Sequence, residues 1–191
     1  MRDVTTVGRV AQRSRLTTSI LLTCAAIGVA TGVVQAVAGA VSLPVSASVP
    51  ILYGLVLGVH VMPGVIAQEL LRRPWVALIT HLTAALVASA VAPVWIGRYL
   101  GTALLIGGLQ EGIAAIGRYK KWEPWRFFAG ALVVGAVIAV AIWFAADLAK
   151  FALWGQIVYV ALFLLGPVLW TAVGLAIGRA LRRAGVPRRQ A

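Results

Sequence analysis

The sequence predicts an all-α membrane protein, a single domain built as a bundle of six transmembrane helices. Hydrophobic residues make up 61% of the 191 residues and charged residues only 12%, and the mean hydropathy is +0.96. These values lie far outside the range of a soluble globular domain. The charged residues gather at the ends of long apolar runs, as the topology determinants of a polytopic membrane protein do. No stretch between the runs is long enough to form a soluble domain.

Six apolar runs are long enough to cross the hydrocarbon core of a bilayer, which takes roughly 20 helical residues. They cover about 16–41, 50–71, 75–92, 101–117, 125–146 and 156–178. The first run is longer than the apolar core of a signal peptide, which has about 7–15 residues. We therefore interpret it as a transmembrane helix and not as a cleaved signal.

The basic residues test the number of spans independently, because cytoplasmic loops carry the excess of Lys and Arg. An even number of spans places both termini on one side. With both termini in the cytoplasm, 15 of the 17 basic residues lie inside, and only Arg98 and Lys150 lie outside. Residues 1–15 then form a cytoplasmic segment and residues 179–191 a basic cytoplasmic tail, and we expect the protein in the plasma membrane. The formal charge of +12 therefore reflects topology, and no nucleic-acid partner is expected.

Pairs of small residues spaced four apart indicate where helices approach closely, because packing and not the hydrophobic effect joins helices in lipid. Such pairs are Ala26 and Ala30, Gly28 and Gly32, Gly54 and Gly58, Gly108 and Gly112, and Gly174 and Gly178. We expect most of them to be packing seams inside the bundle. The alanine pair of the first span has a second interpretation, a docking face for another membrane protein.

Four ionisable side chains lie within the spans, where a charged group costs roughly 2.5–3.5 kcal/mol on insertion scales. They are His60, Glu69, His81 and Glu111. Glu69 can form an ion pair on its own helix with Arg72, three residues on. Glu111 has no Lys or Arg within one turn, so it requires a partner from another helix, a proton or a bound cation.

The polar residues of the third and fourth spans are candidates for a ligand site. His81 lies on a face of small residues, which directs its ring toward another helix and not toward lipid. Together with Gln110 and Glu111, it could line a cavity. A neutral imidazole also serves as an ordinary hydrogen-bond donor between helices, so the pattern leaves a structural role open.

Aromatic residues at the predicted outer ends of the spans form a second candidate feature. Trp143 and Asp147 fall on one helical face, and Trp154 and Tyr159 lie near the start of the last span. An interfacial aromatic belt explains such residues. A stacking cage for a flat or cationic ligand explains them as well.

Motifs of the common enzyme classes are absent from the sequence. It contains no P-loop for ATP, no His-Glu-x-x-His or paired-cysteine metal motif, and no Gly-x-Ser-x-Gly nucleophile motif. We therefore expect neither an enzyme nor a resident metal or cofactor, and a binding or permeation role is favoured.

The order of several short motifs resembles a known family. The motifs are Ala26-x-x-x-Ala30, Tyr53-Gly54, the Arg73-Pro74 turn followed by Ala77-Leu78, and Glu111 seven residues before Arg118-Tyr119-Lys120-Lys121-Trp122. They resemble the substrate-binding S component of an energy-coupling-factor (ECF) vitamin transporter, in the group associated with thiamine and its hydroxymethylpyrimidine precursor. The similarity covers about residues 50–130, and the outer spans match in hydrophobicity and length alone.

The resemblance implies that this chain captures a vitamin from outside the cell. A separate transmembrane coupling subunit and two cytoplasmic ATPase domains would supply the energy. Ala26 and Ala30 would then contact the coupling subunit, and Glu111 would correspond to the acidic residue of the fourth span. His81 stands where the family has an acidic residue, and Ile106 where it has a glutamine. These departures leave the identity of the vitamin open.

On this basis we expect Glu111, with His81 or Gln110, to read the polar ring of the ligand. Stacking and charge at the outer side would come from Trp143, Asp147, Trp154 and Tyr159. One alternative is a small autonomous carrier or channel in which buried His and Glu side chains relay protons. Another is a membrane scaffold that binds a partner protein and transports nothing.

Overall fold

The computed structural model describes residues 16–145 and 147–186. The described residues are helical and contain no β-strand, as the all-α prediction requires. The predicted cytoplasmic segment 1–15 and the last five residues of the predicted tail lie outside the described part.

The described residues form seven α-helices. These are α1 (Thr18–Ser48), α2 (Tyr53–Leu57), α3 (Met62–Leu71), α4 (Val76–Val91), α5 (Ile96–Ile116), α6 (Pro124–Ala145) and α7 (Leu153–Arg183). A 3-10 turn at Gly58–Val61 connects α2 to α3, and another at Pro50–Leu52 precedes α2. The second apolar run is therefore one helical segment whose hydrogen-bond ladder changes register in its middle.

Five segments are long and apolar enough to cross a membrane, judged by length and composition. They are Thr18–Ser48, Pro50–Leu71, Pro93–Ile116, Pro124–Ala145 and Leu153–Arg183. The remaining apolar run forms α4, which has 16 residues and therefore rises only about 24 Å. The protein is thus a multi-pass membrane protein with five clear candidate spans, and the sixth span stays a prediction.

The first and last helices extend beyond their predicted ends. α1 continues through Pro44 to Ser48, although hydropathy ends the first run at 41. α7 spans 31 residues, from 153 to 183, beyond the predicted run at both ends. Hydropathy detects only the part of a helix that matches lipid, whereas the backbone hydrogen bonds continue into the polar interface.

The glycine pair of the second span is a packing seam, as its spacing predicted. A Cβ atom at Gly54 would lie 2.7 Å from the backbone nitrogen of Phe163, and one at Gly58 would lie 2.8 Å from that of Pro167. The second span and α7 therefore touch backbone to backbone. This close approach depends on the absence of side chains at both glycines.

Two further glycine pairs also pack inside the bundle. A Cβ atom at Gly28 would lie 2.6 Å from Cβ of Thr83 on α4, and one at Gly178 would lie 3.0 Å from Cβ of Glu69 on α3. The prediction for Gly108 and Gly112 is wrong, because no atom lies within 4 Å of a Cβ at either position. This face of α5 points out of the bundle, and the spacing alone does not distinguish it from an inward face.

One end of the bundle carries an arginine network around the buried carboxylate of Glu69. The Arg182 guanidinium lies 2.7 Å from Glu69 Oε1, and Arg72 and Arg179 lie 3.7 and 3.8 Å from its carboxylate oxygens. The predicted pair with Arg72 is present, but the shortest pair comes from α7. The network therefore fastens the end of α3 to the end of α7.

We call this the arginine-rich end of the bundle, defined by Arg72, Arg179 and Arg182. It is also where α5 ends and α4 and α6 begin. The opposite end carries Arg98 at the start of α5 and the Asp147–Lys150 ion pair between α6 and α7.

Candidate functional site

A buried hydrogen-bond network connects α3, α4 and α5. His81 Nε2 lies 2.9 Å from Gln110 Oε1, and Gln110 Nε2 donates to the Val61 carbonyl at 3.0 Å. Gln68 Nε2 donates to the Gln110 carbonyl at 3.3 Å. Since an amide oxygen only accepts, His81 Nε2 is the donor in this pair. The structure thus brings His81 and Gln110 together, two of the residues that the sequence analysis selected.

Gly64 provides the space for this network, and sequence reasoning missed it. A Cβ atom at Gly64 would collide with Gln110 Oε1 and would lie 2.8 Å from His81 Nε2. The available signal was the Pro63-Gly64 dipeptide, which is unusual inside an apolar span. A larger residue at this position would displace the amide from the imidazole.

The carboxylate of Glu111 caps the amino-terminal end of α4. Its Oε2 accepts from the Trp75 N–H at 2.9 Å and its Oε1 from the Ala77 N–H at 2.8 Å. Trp75 has a left-handed backbone, with φ 69°, which turns the chain into α4. The helix end also supplies a partial positive charge. The partner from another helix that Glu111 required is therefore a helix end and not a cationic side chain.

Glu111 also acts on the loop that follows its own helix. Burial raises the pKa of the Tyr119 phenol, and the charge of Glu111 and a hydrogen bond to it raise that pKa further. Both Arg118 and Tyr119 have left-handed backbones, with φ 51° and 53°. Such conformations persist when surrounding contacts hold them. Glu111 therefore lies between the loop before α4 and the loop after α5, with both oxygens already hydrogen-bonded.

Two of the predicted aromatic residues, Trp143 and Tyr159, belong to the same apolar cluster in the opposite half of the bundle. The Tyr159 ring stacks on Phe163 with the centroids 4.6 Å apart, and Tyr53 meets Phe163 edge-on at 5.9 Å. Trp143 is partly buried against the same cluster. Trp143 and Tyr159 therefore line one aromatic region.

The other two predicted outer residues do not join this region. Trp154 is 66% exposed. Asp147 follows the end of α6 with a left-handed backbone and pairs with the Lys150 ammonium. The helical face that the sequence assigned to Trp143 and Asp147 is therefore interrupted, because α6 ends at Ala145.

The predicted site residues lie in two groups, not in one shell. His81, Gln110 and Glu111 connect α4 and α5 toward the arginine-rich end. Trp143 lies 19 residues into α6, roughly 28 Å from the start of that helix at the arginine-rich end, given the rise of an α-helix. One small ligand cannot touch Glu111 and Trp143 together in this arrangement.

A narrow cleft, open at its mouth, lies at the opposite end between α1, the second span and α5. It is lined by Gly39, Ser42, Leu43, Leu57, His60, Trp95, Arg98, Tyr99 and Thr102. The His60 side chain is buried, and its Nδ1 atom has no hydrogen-bond partner. Sequence reasoning identified His60 as a buried ionisable group but missed Trp95 and Arg98 as its neighbours.

The predicted docking residues Ala26 and Ala30 are exposed on α1. Cys24, Ile27 and Gly28 of the same helix are buried. The alanine pair therefore faces away from the bundle and is accessible to another membrane helix.

Comparisons with known proteins agree with this architecture. A family model described as "ABC-type cobalt transport system, permease component" matches residues 20–139, more than half of the chain. No curated protein gives a significant match. Among solved structures, one described as "Crystal structure of an S-component of ECF transporter" is similar with a TM-score of 0.80 and 18% sequence identity, over 90% of this chain and 88% of that chain. At this identity the likeness shows a common fold.

Proposed function

The chain belongs to the family of ABC-type cobalt transport system permease components, and from this membership we propose that it is the substrate-capture component of an ECF-type importer. The observation that carries the proposal is the S-component fold, which extends over 90% of the chain. A transmembrane coupling subunit and two cytoplasmic ATPase domains are the partners that this role requires.

The proposed orientation places the arginine-rich end in the cytoplasm. Nine of the eleven Lys and Arg residues between 16 and 186 lie at that end, and Arg98 and Lys150 lie at the other. An excess of basic residues marks the cytoplasmic side of a membrane protein. The cleft beside His60 then opens outside the cell, where a substrate would be captured.

The proposed cargo is a vitamin or precursor with a flat ring, of the thiamine or hydroxymethylpyrimidine type. The aromatic region around Tyr159 supports it, because stacked rings suit a flat ligand. Gln110 and His81 belong to the other group and are hydrogen-bonded to each other. Cobalt is a second candidate cargo, since the family description names it and imidazole nitrogen is a suitable cobalt ligand. Between residues 16 and 186, no three His, Cys, Asp or Glu side chains group together as metal ligands.

Uptake into proteoliposomes tests the function and the cargo together. We expect ATP-dependent accumulation of labelled thiamine or hydroxymethylpyrimidine when the chain is reconstituted with its coupling subunit and ATPases, and none with the chain alone. Uptake of Co²⁺ under the same conditions would identify the metal ion, and not a vitamin, as the cargo. Robust proton-driven uptake by the chain alone would replace the proposal with an autonomous carrier, and absence of uptake in all vesicles would favour a scaffold.

The exposed alanines give a second test, of the partner surface. Replacing Ala26 and Ala30 by leucine is expected to lower coupled uptake at least tenfold, because the larger side chains hold a partner helix away. Ligand binding and thermal stability of the isolated chain should stay unchanged, since neither alanine is buried. Ala40→Leu, at an exposed position farther along α1, is the matched control. Equal loss in the control, or undiminished uptake in the double variant, would contradict this surface.

A further inference from the structure

We propose that the cleft beside His60 binds an organic anion, an aromatic ring that carries a phosphate or carboxylate group. The inference rests on the proposed capture function and gives that function a ligand class. Three features of the cleft carry it: an unpartnered buried nitrogen, a cation without a carboxylate partner, and an aromatic face beside that cation.

His60 Nδ1 is one of two buried side-chain nitrogen or oxygen atoms in residues 16–186 that lack a hydrogen-bond partner. A buried polar atom without a hydrogen-bond partner destabilises the fold. His60 lines the cleft from the 3-10 turn Gly58–Val61, where the regular helix is interrupted. A ligand in the cleft with a donor or acceptor at this depth would satisfy the imidazole nitrogen.

Arg98 supplies the charge. None of the five ion pairs formed by the described residues includes it. Asp147 is the one carboxylate at this end of the described chain, and it pairs with Lys150. The contacts of Arg98 are neutral, the Tyr53 hydroxyl and the Trp95 ring. Its guanidinium retains the capacity for a bidentate pair with a phosphate or carboxylate, which is its strongest type of hydrogen-bonded contact.

Trp95 and the hydroxyl groups define the rest of the ligand. The Arg98 guanidinium carbon lies 5.7 Å from the Trp95 ring centroid, so an anion on Arg98 brings its attached ring close to the indole. The hydroxyls of Ser42, Tyr99 and Thr102 line the same cleft and suit further polar substituents. The Tyr99 hydroxyl lies directly against Gly39, and a larger residue at Gly39 would collide with it.

The charge of the cleft selects between forms of one ligand. None of its lining residues is acidic, so a cationic ring gains no carboxylate contact there. A phosphate ester of the same ring gains the Arg98 pair. In the proposed orientation this cleft opens outside the cell, and the phosphorylated or carboxylated form of a ring would therefore be the preferred cargo.

The test compares matched ligands on the purified full-length protein in neutral-lipid nanodiscs. Isothermal titration of thiamine against thiamine monophosphate, and of hydroxymethylpyrimidine against its monophosphate, is expected to give at least tenfold tighter binding of the ester in one pair. Arg98→Gln should abolish this preference, and His60→Phe should weaken both members of the pair. Lys150→Gln, which removes the other outer cation, is the control and should leave binding unchanged.

Three results would overturn the inference: equal affinity of ester and free ring, the same loss in the Lys150 variant as in the Arg98 variant, or no binding of any of the four ligands. Thermal unfolding of each variant identifies folding defects, and binding is compared only among variants that unfold like the wild type. If a free ring is taken up in the coupled assay but ester and free ring bind equally in both pairs, the capture function is supported and the anion site is rejected. If ester binding depends on Arg98 but no coupled uptake occurs, the anion site is supported and the capture function is rejected.

Discussion

Replacing Gly58 by alanine is expected to destabilise the protein by about 3 kcal/mol or more, at the upper end of the cost of overpacking. The added methyl group would press on the Gly166 carbonyl carbon and lie 2.7 Å from the Gly166 oxygen and 2.8 Å from the Pro167 nitrogen. All three are backbone atoms, so no rotamer change relieves the overlap, and α7 must move away from the second span. Thermal unfolding in detergent or nanodiscs, followed by helix content, measures the loss.

Gly108→Ala is the matched control for this substitution. Gly108 also belongs to a pair of glycines four apart within an apolar helix, but no atom lies within 4 Å of its added Cβ. Removing a glycine from a helix interior without a clash stabilises the helix by up to about 1 kcal/mol. The same substitution in the same motif should therefore lower the melting temperature at Gly58 and leave it unchanged or raise it at Gly108. Similar melting temperatures for the two variants would show that the backbone contact does not limit stability.

The contrast between these glycines shows what sequence can determine about a membrane bundle. Hydropathy located the five helical segments that are long enough to cross the bilayer, because such a segment must be apolar over the thickness of the hydrocarbon core. It also located α4, whose crossing of the membrane stays a prediction. Small-residue spacing found the inward seam at Gly54 and Gly58, but it assigned Gly108 and Gly112 inward as well. In lipid both faces of a helix are apolar, so periodicity carries little information about which face is buried.

Polar contacts over long sequence separations were the second limit. The Glu69–Arg72 pair is local and follows from helical spacing. The shorter Glu69–Arg182 pair connects residues 113 positions apart and needs the helix arrangement. Because no Lys or Arg lies within one turn of Glu111, the sequence required a partner for its carboxylate. The partners considered were a side chain of another helix, a proton and a bound cation. The actual partner is a pair of backbone N–H groups at the start of α4. A backbone partner of this kind cannot be identified from residue types.

The residues of the candidate site also fall into those that the sequence identified and those that only the helix arrangement shows. The sequence selected His81 and Gln110, which touch, and Trp143 and Tyr159, which share an aromatic region. It did not identify Arg98 as part of a cleft, because topology alone placed that residue among the outer charges. The neighbourhood of His60, Trp95 and Arg98 arises from the crossing of the second span with the start of α5.

Glu111→Gln is expected to destabilise the protein by about 2 kcal/mol, within the range for hydrogen bonds to a charged group. The carboxamide offers one oxygen where two backbone amides, those of Trp75 and Ala77, need acceptors. It also removes the charge that favours the amino-terminal end of α4. Thermal unfolding should register the loss, and affinity measured on folded protein well below the melting temperature should change little.

The control is Glu123→Gln, at a half-exposed residue that pairs with Arg126 at 2.7 Å. A surface pair of this kind contributes at most about 1 kcal/mol, so the same chemical change should have a much smaller effect there. If Glu111→Gln instead lowers ligand affinity and leaves the melting temperature unchanged, Glu111 reads the ligand, as the family resemblance implied, and does not serve mainly as a cap.

The phenol of Tyr119 provides an independent readout of the same carboxylate. Its pKa is raised by burial and, beyond that, by Glu111, so Glu111→Gln should lower it toward the ordinary value of about 10 without removing the part due to burial. A raised pKa in the folded state contributes stability that is present below the unfolded pKa and is lost as the pH rises through the folded pKa. The wild type should therefore lose stability in alkali more steeply than Tyr119→Phe. The ultraviolet titration curve of the wild type minus that of Tyr119→Phe gives the titration of the Tyr119 phenol. If the pKa of Tyr119 in Glu111→Gln equals that of the wild type, the two loops are not connected through this carboxylate.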